Sequence, residues 1–171
     1  CGTMSVGKTT LVNALKETEQ FKDYAFRTER SKFLMEQGIP LNTDSTLKGQ
    51  TVFLAERCAE LIQPNIITDR TVIDVMAFTM NAKSIPYQDK ENFEDYASEF
   101  IREYDHIFYI SPYGIPIEDN GVRETDEHYR DIIDFTITTL IKKYGHRCPS
   151  IEKISGSTDE RIQQILNITG L

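Results

Sequence analysis

Residues 2–9 read GTMSVGKT and decide the fold, because they fill the pattern G-x-x-x-x-G-K-[ST]. The two glycines of the pattern, Gly2 and Gly7, allow backbone angles and close approaches that a side chain would block. Successive backbone N–H groups can then point at phosphate oxygens, at the positive end of the helix that follows. The stretch therefore predicts a phosphate-binding loop.

This loop predicts a site for ATP and Mg²⁺. We expect Lys8 to reach the β- and γ-phosphates and the Thr9 hydroxyl to ligate Mg²⁺. A coincidental glycine-rich turn is the alternative, but TTLVNALKE at 9–17 has Leu11, Val12 and Leu15 at helical spacing, as the motif requires. The residues predicted to bind the nucleotide are Gly2, Ser5, Val6, Gly7, Lys8, Thr9 and Thr10.

The position of the loop raises a question about the sheet. A phosphate loop normally connects a buried strand to its helix, yet only Cys1 precedes Gly2. A sheet without that strand would have unpaired edges on both sides of a gap. We therefore expect a hydrophobic strand of about five residues upstream of residue 1.

Length and charge favour one acidic domain over 1–171. The net charge of −8 argues against extended nucleic acid or a membrane surface as a partner. Three scattered cysteines predict free thiols in a reducing compartment, and no apolar run is long enough to span a membrane. We expect a cytoplasmic protein, and the sequence is compatible with a homodimer.

Helical and strand patterns alternate along the chain. Strands are predicted at 23–28, 65–69, 106–111 and 149–155. Helices are predicted at 9–17, 29–38, 46–62 with Asp44 or Ser45 as its cap, 71–82, 88–105, 126–144 and 158–168. This alternation predicts an α/β fold with a mainly parallel sheet and helices on both faces. Ligands of such sheets bind beyond the carboxyl ends of the strands, where the loop and Asp69 should both lie.

Asp69 and Arg70 end the second of these apolar strands. We expect Asp69 to help hold Mg²⁺ opposite the loop, and Arg70 to hold a second anion, that of the acceptor. An ion pair at a strand terminus is the alternative interpretation. Asp74, one helical turn further on, would pair with Arg70 or cap its own helix.

The segment NGVRETDEHYR at 120–130 indicates a lid over about 112–130. Arg123 and Arg130 lie seven residues apart, so a helix would place both on one side. Prolines and Gly114 upstream are typical of a segment that opens and closes. Such arginines could neutralise a transferring phosphoryl group, with Arg123 catalytic and Arg130 binding substrate. A solvated start of a charged helix is the alternative.

A weaker signal lies in RTERSK at 27–32. Glu29 could act as general base toward an acceptor hydroxyl, with Arg27 or Arg30 meeting an anionic group of the acceptor. Charged residues that open a helix are also common on plain protein surfaces. The pattern alone leaves both interpretations open.

GTMSVGKTTL, ITDRTVIDVMAF and DNGVRETDE before a long helix together resemble the small P-loop kinases of nucleosides and nucleotides. The similarity is greatest to the AAA-like group that contains the nicotinamide-riboside kinase domain and many phage proteins, and thymidylate-kinase-like enzymes share the Asp-Arg pair. The resemblance implies a parallel sheet sandwiched by helices, with Asp69 and Arg70 at a strand end and Asp74 in the helix that follows. It also implies a lid with Asn120 to Arg123, in which Asn120 stands where the family commonly has Asp. The family often has Glu-x-x-Arg after the second strand, whereas Lys32 follows Glu29 here.

Three functions follow from these patterns. The leading hypothesis is transfer of the ATP γ-phosphoryl group to a small nucleoside or nucleotide, with Lys8, Asp69 and Arg123 as catalytic residues. An ATP-binding regulatory module is the second, although the N-K-x-D pattern of guanine-selective switches does not occur. A polynucleotide-end kinase is the third, and the acidic balance of the chain disfavours it.

Overall fold

The computed structural model describes residues 1–28, 30–117 and 126–171, in which helices and strands alternate as predicted. The helices are α1 Lys8–Lys16, α2 Ser31–Glu36, α3 Leu47–Leu61, α4 Val72–Asn81, α5 Tyr87–Ser98, α6 Glu127–Tyr144 and α7 Thr158–Thr169. The strands are β1 Ala25–Arg27, β2 Ile66–Thr68, β3 His106–Ile110 and β4 Ser150–Ile154.

The described strands form two parallel pairs. β1 pairs with β2, in the register that sets Phe26 opposite Ile67. β3 pairs with β4, with Ile107 opposite Ile151. Each pair is joined through helices, as parallel neighbours require. The predicted parallel α/β architecture is confirmed, as two sheets of two strands in this part of the chain.

A cavity of about 470 Å³ lies between β2 and β3 and is lined by both strands. Cys1 lies at its edge and pairs with β3 through the backbone. The Cys1 nitrogen donates to the Phe108 carbonyl at 2.6 Å, and the Ile110 N–H donates to the Cys1 carbonyl at 3.0 Å. The predicted upstream strand lies outside this sequence and stays a prediction.

Helices cover both faces of β3, because its side chains alternate between two hydrophobic cores. Ile107 and Tyr109 belong to a core built largely with α3, α4, α5 and α6. Ile110, with Phe108 packed beside it, belongs to a second core built with α1 and α7. The predicted apolar face of α1 is buried, with Leu11 and Leu15 in this second core. In space, the phosphate loop begins beside the carboxyl end of β3, and it leads into α1.

Polar side chains cap several of these helices. The Thr71 hydroxyl accepts from the Ile73 N–H at the start of α4, and the Asp126 carboxylate accepts from the His128 N–H at the start of α6. These caps satisfy N–H groups that have no partner within the helix. In the described ranges, every helix is too short or too polar to cross a membrane.

Two details of the predicted helices are wrong. The cap of α3 is Thr46, whose hydroxyl accepts from the Gly49 N–H at 3.1 Å, and neither Asp44 nor Ser45. Residues 42–44 instead form a short 3₁₀ turn. The helix predicted to run to 105 ends at Ser98 and continues as a 3₁₀ turn over 99–103.

Candidate active site

The phosphate loop ends in a left-handed backbone at Gly7, which caps α1 with a φ of 80°. Glycine adopts this conformation without the steric cost that a side chain would bring. Gly7 has no side chain that could cap the first turn of α1. The positive end of the helix therefore faces the loop, where an anion would bind.

The other end of the loop requires glycine for a different reason. A Cβ on Gly2 would lie 2.7 Å from the carbonyl oxygen of Ile110, at the end of β3. Backbone of the loop and backbone of the strand therefore approach more closely than any side chain at position 2 would allow. This contact sets the loop at the carboxyl end of β3, on the side of the sheet where the sequence predicted it.

Lys8 is buried and folds back over the loop. Its Nζ donates to the carbonyl oxygens of Gly2 at 2.9 Å and Thr3 at 2.6 Å. The carbonyls hold the ammonium group close to the loop N–H groups, so positive charge is concentrated where a phosphate would bind.

Thr9 and Asp69 meet across the site. The Thr9 hydroxyl donates to Asp69 Oδ2 at 2.5 Å, although the two residues are 60 positions apart. Asp69 is buried directly after β2, and its Oδ1 has no hydrogen-bond partner among the described residues. A buried carboxylate oxygen without a donor is costly, unless a cation or water binds it.

Arg70, the next residue, lies against α4. Its guanidinium carbon lies 5.2 Å from the centre of the Phe78 ring, a cation–π distance. Both Arg70 and Phe78 line a cavity of about 290 Å³ that begins at the phosphate loop. At the end of β2, Asp69 therefore contacts the loop, whereas Arg70 contacts α4.

Asp74 connects the loop to α4. Its Oδ1 accepts from the Gly2 N–H at 2.9 Å, and its Oδ2 accepts from the N–H of Thr71 at 2.8 Å and from the Thr71 hydroxyl at 2.9 Å. The fully buried carboxylate thus completes a capping box and also fixes the first residue of the loop. The prediction that Asp74 caps its own helix is confirmed.

Polar and apolar side chains both line the 290 Å³ cavity. Its lining residues come from the loop, the segments around α2 and α3, the β2–α4 connection and α4. They include Ser5, Val6, Gly7, Lys8, Thr9, Lys32, Asn42, Gln50, Phe53, Asp69, Arg70, Val75 and Phe78. Gly2 and Thr10, also predicted to bind nucleotide, do not line it.

Arg130 contacts the phosphate loop through its backbone, because its carbonyl oxygen accepts from the Thr3 hydroxyl at 3.4 Å. It is buried in the first turns of α6, and its Nη1 donates to the Ile115 carbonyl at 2.7 Å. It does not line the 290 Å³ cavity. The predicted role of Arg130 in binding substrate stays a prediction.

Two predicted site residues, Glu29 and Arg123, lie outside the described residues, as do Asn120, Gly121 and Val122 of the predicted lid. The described parts of that segment are 112–117 and 126–130. Their roles stay predictions.

Sequence reasoning missed several residues at this site. Helices α3 and α4 contribute three side chains to the cavity lining: Gln50, Phe53 and Phe78. Their spacing looks like that of ordinary core residues on the buried sides of these helices. Arg161 on α7 was also missed, although its guanidinium reaches the loop and donates to the Val6 carbonyl at 2.8 Å. No local motif marks any of them.

Comparison with known proteins identifies the fold. The model of the AAA domain family matches residues 1–161. Among curated proteins, none matches the sequence significantly. A deoxyadenosine kinase from M. mycoides, with its products dCMP and a flexible dCDP bound, superposes with a TM-score of 0.69 at 18% identity, over 99% of this chain and 96% of that chain. The same kinase with dCTP bound gives a TM-score of 0.65 at 17% identity.

NadR in complex with NAD and AMP-PNP superposes with a TM-score of 0.70 at 18% identity. The match covers 100% of this chain and 48% of NadR, so this chain spans about half of that protein's length. At such identities the likeness establishes a kinase-like P-loop fold. With the family model matching nearly its whole length, the chain belongs to the AAA domain family.

Proposed function

We propose that the protein is an ATP-dependent phosphotransferase that moves the γ-phosphoryl group of ATP to a small nucleoside or nucleotide. The observation that carries the proposal is the contact between the phosphate loop and the 290 Å³ cavity, which share Lys8 and Thr9. A phosphate-binding loop would hold the donor, and the cavity beside it would hold the acceptor. Its volume is near the lower end of small-molecule sites, about 300 Å³, which favours a small acceptor over a polymer.

Thr9 and Asp69 fit a magnesium ion. They bring together a hydroxyl and a carboxylate, the oxygen ligands that Mg²⁺ prefers, and Asp69 Oδ1 has no donor within the described chain. The described residues include no group of three or more His, Cys, Asp or Glu able to hold a metal. Mg²⁺ commonly binds through few protein oxygens together with substrate phosphates, and there it neutralises phosphate charge.

The remaining chemistry is assigned to side chains around the acceptor. The acceptor hydroxyl oxygen would attack the γ-phosphorus as the bond to the departing ADP oxygen breaks, and Glu29 would take the hydroxyl proton. Lys8 would stabilise the β- and γ-phosphates, and Arg70 would hold an anionic group of the acceptor. Arg123 and Arg130 would act from a lid over about 112–130, within a single domain over 1–171.

The kinases of similar fold support this substrate class. One is a deoxyadenosine kinase with dCMP and dCDP bound, and another is NadR in complex with NAD and AMP-PNP. Aromatic and amide side chains in the cavity, Phe53, Phe78 and Gln50, suit a base that stacks and forms hydrogen bonds. The scattered cysteines favour the cytoplasm.

The test is ADP formation from ATP and Mg²⁺ in the presence of a panel of nucleosides and nucleoside monophosphates, each compared with a reaction lacking acceptor. We expect at least one acceptor to accelerate ADP formation by roughly tenfold or more. Slow turnover that no acceptor changes would indicate the ATP-binding regulatory module instead. Stimulation by oligonucleotide ends alone would indicate a polynucleotide kinase.

Lys8→Ala provides the control for this assay. It removes a charged donor from the loop, so ATP should bind about tenfold more weakly or worse. Its circular dichroism spectrum should stay that of the wild type. Acceptor-stimulated turnover that survives in Lys8→Ala would contradict the assignment of the loop.

A further inference from the structure

Arg161 lies against the phosphate loop, although it comes from the other end of the sequence. It sits in the first turns of α7 and is 8% exposed. Its Nη1 donates to the Val6 carbonyl at 2.8 Å. The same Nη1 would lie 3.3 Å from a Cβ placed on Gly7. The guanidinium therefore packs on the two loop residues that precede Lys8.

The charge of Arg161 has no carboxylate partner among the described residues. Burial lowers the pKa of its guanidinium, yet an arginine remains charged at neutral pH. Its Nε has no hydrogen-bond partner in the same part of the chain. The neighbouring Glu160 carboxylate instead accepts from the Ser157 N–H in the capping box of α7.

A buried charge without a partner is strongly destabilising, so its place beside the loop calls for a compensating ligand. A triphosphate bound by the loop would bring several negative charges to this point. Lys8 already holds the opposite side of the loop, through the carbonyls of Gly2 and Thr3. Arg161 and Lys8 thus tie the loop at both ends with cationic donors.

We propose that Arg161 is a positioning residue of the nucleotide site. Its hydrogen bond fixes the Val6 carbonyl, which keeps the N–H groups of the loop directed at phosphate, and its charge is balanced by the bound triphosphate. An arginine suits this task better than a lysine, because its planar guanidinium presents five N–H donors in a fixed fork, so that one can hold the carbonyl while the others keep set directions. The inference rests on the proposed binding of ATP by the loop, and it requires no particular acceptor.

The test compares ATP–Mg²⁺ binding by wild type, Arg161→Met and Arg161→Lys, measured by titration calorimetry together with the Tm of each protein. We expect the Kd to rise about tenfold or more in Arg161→Met, the range for a lost hydrogen bond to a charged group. Arg161→Lys keeps the charge, so its Kd should lie between the other two. If Arg161→Met does not fold, the comparison of Arg161→Lys with wild type decides.

Ile165→Ala is the matched control, because Ile165 is buried in the same helix, one turn further on, in the core with α1. It should lower the Tm while changing the Kd less than twofold. A Kd within twofold of wild type in the Arg161 variants would overturn the proposal, as would equal weakening by Ile165→Ala. If the wild type binds ATP but no acceptor stimulates its turnover, only the kinase proposal is contradicted. The comparison of Kd values between the variants and wild type would still decide the role of Arg161.

Discussion

Asp69 and Arg70 are adjacent in sequence, but they face different groups at the site. Asp69 accepts from Thr9 on the loop, whereas Arg70 lies over the Phe78 ring at 5.2 Å. Successive residues at a strand end point in opposite directions, so one dipeptide can serve two binding positions. Under the proposed function, the acid would serve the nucleotide and its metal, and the cation would serve the acceptor.

This division gives a prediction for Arg70→Ala. The variant should raise the KM of the acceptor about tenfold or more, because a charged contact to its anionic group is lost. The Kd of ATP should stay within twofold of wild type. Steady-state kinetics and titration calorimetry measure the two quantities.

Arg102→Ala is the control for this experiment, since Arg102 is an exposed arginine that does not line the cavity. It should leave both quantities unchanged. An equal loss of affinity for acceptor and ATP in Arg70→Ala would support the alternative interpretation, a structural ion pair at the strand end.

At the residue scale, a site residue could be predicted most readily from sequence where the residues it acts with lie close to it along the chain. Thr9 was predicted as a magnesium ligand because it belongs to a contiguous motif whose geometry is local. Arg161 could not be predicted, because its contact with Val6 spans 155 residues and exists only once α7 packs on the loop. Gln50 and Phe53 likewise become site residues through packing alone.

At the scale of elements, helix boundaries were predicted where capping groups are unambiguous. Gly145 marks the end of α6, and Asp126 caps its start. The cap of α3 was assigned wrongly because 42–46 offers several polar side chains, all suited to capping. The backbone decides between them: Asn42–Asp44 turn as a 3₁₀ helix, which leaves Thr46 extended and able to accept from the Gly49 N–H.

Asp74 connects the phosphate loop to α4, so its substitution should destabilise the fold. Asp74→Asn should lower the free energy of unfolding by about 2–3 kcal/mol at pH 7, because the carboxylate accepts from two backbone N–H groups and a hydroxyl. Denaturant unfolding measures this change. Asp95→Asn, an exposed change in α5, should stay within about 0.5 kcal/mol of wild type.

The loss of stability caused by Asp74→Asn should depend on pH. Burial alone would raise the pKa of Asp74, but positive charges around it lower the pKa below its ordinary value of 3.8. The groups that lower it include Lys8, Arg70 and the Gly2 N–H, which donates to the carboxylate. A depressed pKa stabilises the fold at neutral pH, and this contribution is lost as the pH falls through the folded pKa. The stability difference between wild type and Asp74→Asn should therefore narrow below about pH 4; a constant difference would contradict the charged role.

The predicted lid is the element to which Arg123 belongs. Arg123→Ala should lower kcat on the order of a thousandfold and change the Kd of ATP little, because its charge matters most as the phosphoryl group transfers. The measurement is acceptor-stimulated ADP formation at saturating ATP. Equal rates for wild type and variant would remove Arg123 from the mechanism.

At the scale of the whole molecule, nucleotide binding should be visible as stability. ATP with Mg²⁺ at a hundred times its Kd should add about 2.7 kcal/mol to the free energy of unfolding, or roughly 5–10 °C in Tm. Chelation of Mg²⁺ should reduce this shift in the wild type. In Asp69→Asn, the shift should be small and indifferent to chelation. A wild-type shift that does not depend on Mg²⁺ would contradict the metal site of Thr9 and Asp69.

One of the two cores on either side of β3 can form only late during synthesis. The core around α1 includes Val6 and Leu11 near the start of the sequence, and Ile154 and Ile165 near its end. Translation at about 5–20 residues per second separates Val6 from Arg161 by roughly 8–30 s. On the ribosome, the nascent loop would thus spend that interval without its α7 contact. A growing chain of this protein should acquire its affinity for ATP late, after α7 has emerged from the exit tunnel.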